Sequence, residues 1–247
     1  MSLSEPSIAR RVRVSLNGTS SPLRDFTLWA VAGFFVLIAV APVIFPSVPL
    51  AAWLYSASLY AVGSAVAGEL LRRTYPHETL GVCNVVTLGR LVIVAGLVAP
   101  LAIAGASAWI VFTLASVALA LDGADGWLAR RNGRASDFGA RFDVEVDSAF
   151  ALVLSLHALD RVGPAVLVLG LARYAFVFAA VPFPWLKRPL PDRFGRKAVC
   201  VLQLSTLIVL QLPLLPGPAA AGLVAMASLA LALSFGRDVV HLWRNRS

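Results

Sequence analysis

The sequence predicts an all-α protein, a polytopic bundle of membrane-crossing helices. Three observations predict it. Of the 247 residues, 59% are hydrophobic and only 14% are charged, against about 25% charged in a soluble domain. Apolar stretches near the ~20 residues needed to cross ~30 Å of hydrocarbon recur along the chain. The connections between them alternate between basic and uncharged. The formal net charge of +8 would suit either nucleic acid or an anionic membrane surface. A mean hydropathy of +0.81 assigns it to the membrane, with lipid and not nucleic acid as partner.

Taken in order, residues 1–25 form a polar, basic segment with Arg10, Arg11, Arg13 and Arg24, and no cleavable signal peptide is evident. Helices are predicted over 26–45, 50–71, 86–105, 107–129, 143–160, 163–182, 198–213 and 217–236. The turns at 45–49, 105–107 and 212–218 carry no charge, and that at 160–161 holds only Asp160 and Arg161. Arg72 and Arg73 fall in one basic loop, Arg130, Arg131, Arg134 and Arg141 in the next, and Lys187, Arg188, Arg193, Arg196 and Lys197 in a third. Because Lys and Arg mark cytoplasmic loops, both termini and the 130–141 and 183–197 loops are expected in the cytoplasm. That leaves Asn17-Gly18-Thr19, a formal glycosylation sequon, on the wrong side for use. Cys83 and Cys200 have no zinc-ligand spacing and read as free thiols. The tryptophans read mainly as interface anchors, His157 as structural, and Glu145 as a partner for Arg141 four residues earlier.

The chemistry is concentrated between Leu121 and Ser148. Residues three and four apart share a helix face, so Asp122, Asp125, Gly126 and Ala129 form one stripe at the end of the fourth helix. Gly139, Asp143 and Asp147 form a second at the start of the fifth. Residues 132–136 make a polar turn, with Ser136 or Asp137 as N-cap. Consecutive helices joined by so short a loop can turn both stripes toward one cavity. Each aspartate at the centre of a membrane helix costs roughly 2.5–3.5 kcal/mol, so four cost on the order of 10–14 kcal/mol, less near the interface. Arg130 is one of few basic residues placed to offset them. Oxygen-only ligands otherwise select hard ions such as Mg²⁺ or Mn²⁺. Acids of this kind also serve as ion or proton relays in transporters, a reading that leaves the small residues on both stripes without a function.

The stretch resembles the signature of the CDP-alcohol phosphatidyltransferase family, D-x2-D-G-x2-A-R-x8-G-x3-D-x3-D, with every fixed position and spacer matched by Asp122, Asp125, Gly126, Ala129, Arg130, Gly139, Asp143 and Asp147. Upstream, Asn84, Thr87 and Arg90 resemble the N-x-x-T-x-x-R that opens the preceding helix in members; an N-cap with a snorkelling arginine would give the same pattern. The resemblance covers roughly 84–240, a six-helix core, leaving 26–71 as two extra helices without an assigned role and 241–247 as a cytoplasmic tail.

The resemblance implies transfer of a substituted phosphate from a CDP-alcohol to a second alcohol with release of CMP. It implies two divalent ions, Mg²⁺ or Mn²⁺, between the four aspartates. Asp122, Asp125, Asp143 and Asp147 would bind metal, with Asp147 also the catalytic base, while Gly126, Ala129, Arg130 and Gly139 would line the CDP pocket. The expected donor is CDP-diacylglycerol, the expected setting phospholipid synthesis in a bacterial inner membrane, and the expected assembly a homodimer. A CDP-aminoalcohol donor with diacylglycerol as acceptor fits the same motif. Arg173, inside an apolar helix, with Arg193, Arg196 and Lys197 could bind an acceptor phosphate, favouring glycerol 3-phosphate or inositol phosphate; contact with anionic lipid is the alternative for that loop. Asn84, Thr87 and Arg90 are further candidates for holding donor or acceptor phosphate.

Overall fold

A computed structural model describes residues 21–103, 105–131, 136–188 and 194–245. Among these there are eight α-helices and no strand: α1 (Pro22–Ile44), α2 (Leu50–Thr74), α3 (Val82–Gly96), α4 (Ala108–Arg131), α5 (Asp137–Val162), α6 (Leu167–Ala179), α7 (Phe194–Val209) and α8 (Gly217–Arg244). The predicted basic segment before residue 21, most of the 132–136 turn and Arg193 lie outside the described residues.

The helix ends have local causes. Ser21 and Ser136 cap α1 and α5, each accepting a hydrogen bond from the backbone N–H three residues on. Helix α3 stops at Gly96, well short of the expected 105, and a 3₁₀ turn follows over Ala99–Ala102. Pro100 explains the break, since it has no N–H to donate and disfavours helix in the residue before it. Helix α5 ends at Gly163, whose φ of +85° is open to glycine and strained for other residues. Helix α8 continues to Arg244, beyond the apolar run that ends near 236 and through the start of the expected tail.

Helix α3 sits at the centre, against α1, α2, α4 and α5, and α5 packs in turn on α6, α7 and α8. Phe138, Phe142, Val146, Phe150 and Leu154 form the buried i, i+4 stripe of α5. His157 on α5 bonds the carbonyl of Leu97 at 2.8 Å, the structural role expected of it. Arg161 donates to the carbonyls of Leu210, Leu212 and Leu215 and so closes the end of α7.

Four helical stretches, Pro22–Ile44, Leu50–Thr74, Val82–Ala102 and Gly217–Arg244, are long and apolar enough to cross a membrane. Ala108–Gly123 and Pro164–Ala179 are shorter apolar helices. Helix α5 is long enough but carries Asp143, Glu145 and Asp147 within its span, and α6 and α7 are shorter, at 13 and 16 residues. Around the bundle, α1 is apolar on nearly every face, with Leu28, Trp29, Phe35 and Val43 exposed, as a lipid-facing helix must be. Trp53, by contrast, is buried and serves as core, not as an interface anchor.

Candidate active site

Helix α3 begins at its N-cap Gly81, so Asn84 lies within its first turn and is not the cap its sequence position suggested. Asn84, Thr87 and Arg90 follow one another along a single face, and all three are buried. Thr87 donates to the carbonyl of Cys83 at 3.0 Å, and Asn84 donates to the Tyr75 hydroxyl at 3.3 Å. These two side chains are thus tied into the protein. Arg90 is fully buried and does not snorkel to an interface.

Its guanidinium is the hub of the site. Nη1 lies 2.7 Å from Asp122 of α4 and also bonds Asp143 of α5, while Nη2 bonds Asp147 one turn further along α5. Asp122 of the first acidic stripe does meet Asp143 and Asp147 of the second, and the central helix α3 supplies the opposing charge. Divalent cations were the expected neutralisers, with Arg130 as a basic residue placed to help. The side chains of 124–131 lie outside the described part, so Asp125, Gly126, Ala129 and Arg130 are placed on or at the end of α4 by its backbone alone. The signal for Arg90 was present in the sequence as a lone charge within an apolar segment, which defaults to function.

Three carboxylates against one guanidinium leave a formal excess of two negative charges. One oxygen from each of Asp122, Asp143 and Asp147 lies within 4.8 Å of the others. Three carboxylate oxygens drawn together suit a hard, oxygen-binding cation, and Asp122, Asp143 and Asp147 would hold it. The side chain of Asp143 is 35% exposed and that of Asp147 only 16%, so the cluster opens outward past Asp143.

A family model for CDP-alcohol phosphatidyltransferase matches residues 80–236, well over half of the chain and every residue of this cluster. The chain belongs to the CDP-alcohol phosphatidyltransferase family. No curated protein and no solved structure matches it. As a CDP-alcohol phosphatidyltransferase with four apolar membrane-length helical stretches, it is an integral membrane transferase of a family that uses divalent metal. Helices α1 and α2 precede the phosphatidyltransferase match.

Two of the basic candidates pair with acids other than those of the cluster. Arg173 of α6 pairs with Glu145 of α5 at 2.9 Å, with both side chains over a third exposed. Glu145 therefore finds its partner on the next helix, not in Arg141 on its own, because it faces away from the Asp143 and Asp147 stripe toward α6. Arg196 lies 3.3 Å from Asp238, a nearly buried acid of α8 for which sequence reading gave no role. Lys197 is exposed. Gly139 lies under Asn84, whose Oδ1 would stand 3.1 Å from a β-carbon there. Neither Cys83 nor Cys200 is in a disulfide, as expected.

Proposed function

We propose that this transferase moves a phosphatidyl group from CDP-diacylglycerol to an alcohol with release of CMP, in phospholipid synthesis at the cytoplasmic face of a bacterial inner membrane. The observation that carries the reading is the convergence of Asp122, Asp143 and Asp147, from two consecutive helices, on one partly open site inside the matched motif. The proposed enzyme is a homodimer using two Mg²⁺ or Mn²⁺ ions per site. The alternation of basic loops supports the cytoplasmic placement.

Asp122, Asp125, Asp143 and Asp147 would hold the ions, which when bound supply Lewis-acid charge to the diphosphate and its leaving group. Gly126, Ala129, Arg130 and Gly139 border the CDP moiety. By helix rise, Asp143 stands about 9 Å and Asp147 about 15 Å along α5 from its first residue. The deeper carboxylate is nearer the lipid-linked phosphorus. Asp147 accepts the acceptor's hydroxyl proton on a carboxylate oxygen while that hydroxyl oxygen forms the new bond to phosphorus. The bond from phosphorus to the CMP oxygen breaks, and CMP leaves with its electron pair. Arg90 holds Asp143 and Asp147 at its two ends and fixes their spacing. Arg173 and Arg196, each paired to an acid, are with Arg193 and Lys197 the proposed contacts for a phosphorylated acceptor. The test is CMP release by the purified protein from CDP-diacylglycerol with Mg²⁺ or Mn²⁺, scanned over glycerol 3-phosphate, inositol phosphate and unphosphorylated alcohols. No release with any acceptor would reject the reading. Labelling of cysteines placed in the 183–197 loop from outside the cell would reject the cytoplasmic siting.

A further inference from the structure

Helices α1 and α2 lie outside the family match, yet they reach the acidic helix. Phe26, in the first two turns of α1, is 1% exposed. Its ring packs over Gly68 of α2, 3.5 Å from where a β-carbon would stand. It also meets Phe138 and Phe142 of α5 edge-on, with ring centres at 6.2 and 6.1 Å. Phe138 and Phe142 stack on each other at 5.7 Å. Tyr75, at the end of α2, adds a second edge against Phe138 at 5.7 Å. The Tyr75 hydroxyl accepts from the Gly81 N–H at 3.0 Å and from Asn84 at 3.3 Å, so the same residue also holds the start of α3.

The aromatic stripe Phe138–Phe142 runs directly beside the stripe Gly139–Asp143 on the same helix. Any rotation of α5 moves both. A turn of about 10° carries a group about 6 Å from the helix axis through about 1 Å. Misplacement of that size can cost on the order of a hundredfold in rate.

We propose that the α1–α2 pair is a positioning element for the transferase site. Phe26 and Tyr75 clamp Phe138 and Phe142 and thereby set the rotation and depth of α5, so that Asp143 and Asp147 meet Arg90 and the bound ions. Phe26 and Tyr75 are positioning residues, since neither touches the carboxylates. The kinetic part of the proposal rests on the function proposed above.

The experiment compares Phe26→Ala, Phe26→Leu and Leu37→Ala in the full-length protein in detergent. Leu37 is equally buried on α1 but packs on Gly96 of α3, away from the start of α5. Phe26→Ala should lower kcat by about tenfold to a hundredfold and raise the Mn²⁺ concentration for half-saturation, with little change in the KM for CDP-diacylglycerol. Backbone hydrogen exchange across residues 137–147 should quicken. Leu37→Ala should lower the thermal midpoint while leaving kcat and that exchange as in the wild type. Phe26→Leu, which keeps apolar bulk without the ring edges, should fall between, and it carries the test if Phe26→Ala does not fold. Equal kcat and equal 137–147 exchange in the Phe26 and Leu37 variants would overturn the clamp. Should the wild type release no CMP from any CDP-alcohol, the functional reading fails by itself. Exchange and Mn²⁺ titration then still decide the clamp, and wild-type values in Phe26→Ala overturn it.

Discussion

Replacing Arg90 by methionine removes the counter-charge and keeps much of the apolar bulk. Asp122, Asp143 and Asp147 then face one another with oxygens within 4.8 Å. At an effective dielectric of about 20, each pair of charges at that distance repels by about 3.5 kcal/mol, or about 10 kcal/mol for three pairs. Side chains splay or take up protons before the full repulsion develops. The expected loss is thus nearer the roughly 3–5 kcal/mol seen when one member of a buried ion pair is removed. For a chain of this size that lowers the thermal midpoint by about 6–20 °C. The perturbation also makes a signed prediction about metal. Arg90 and a cation draw on the same three carboxylates, so Mg²⁺ or Mn²⁺ should raise the midpoint of Arg90→Met by more than that of the wild type. Turnover should fall all the same, because the two α5 carboxylates lose the fork that spaces them. Arg90→Lys keeps one charge but not the fork and should lie between. The assay is thermal unfolding in detergent, with and without metal, beside CMP release. A metal-free midpoint in Arg90→Met equal to the wild type's, or equal metal shifts in both, would refute the charge-balance argument.

Asp147→Asn should retain CDP-diacylglycerol binding but lose about 10²–10⁴-fold in turnover, as removal of a general base does; Asp125→Asn should instead lose metal-dependent nucleotide binding, and a paired kinetic and binding comparison separates them. More than about a tenth of normal turnover in Asp147→Asn would place the base elsewhere. Arg173→Ala and Glu145→Ala should be alike in stability, each costing at most about 1 kcal/mol as for other exposed ion pairs, measured by unfolding; only Arg173→Ala should also raise the KM for a phosphorylated acceptor, and an unchanged KM would remove its binding role. Gly170→Ala should lower stability by about 1–3 kcal/mol, because its β-carbon would stand 2.1 Å from the Ser155 hydroxyl and 3.0 Å from the Leu152 backbone. Adding Ser155→Ala should recover only part of the loss, and full recovery would show that the backbone contact is harmless.

Much of this molecule was legible because its signals are local. Eight helices follow from eight apolar stretches, and the pairing of Asp122 with Asp143 and Asp147 follows from helical spacing plus a short connection. The end of α3 was also local, since Pro100 was there to be read, but hydropathy averages across a proline that the backbone cannot ignore. What escaped was contact between distant segments. Arg90 was visible as a costly charge, yet its three partners lie on α4 and α5. Glu145 had an acceptable partner at i−4 and took Arg173 on another helix instead. Phe26 looked like any apolar residue at a membrane edge, and nothing in its neighbours reveals that its ring meets residues more than a hundred positions away.

The length of α8 bears on how the enzyme sits in bilayers of different thickness. Its 28 residues extend about 42 Å, against about 30 Å of hydrocarbon. About 12 Å is left to stand among the headgroups, and there Trp243 meets Trp185 at 5.4 Å and Arg188 bonds the carbonyl of Asn245. This collar joins the end of α8 to the segment after α6, outside the α3 and α5 contacts that hold the carboxylates. A thicker membrane can be met by drawing more of α8 into the hydrocarbon, and a thinner one by tilting it, at fractions of a kcal/mol per Å. The collar would travel with the lipid surface while the spacing between Arg90 and Asp147 stays fixed, so turnover should vary little with acyl-chain length.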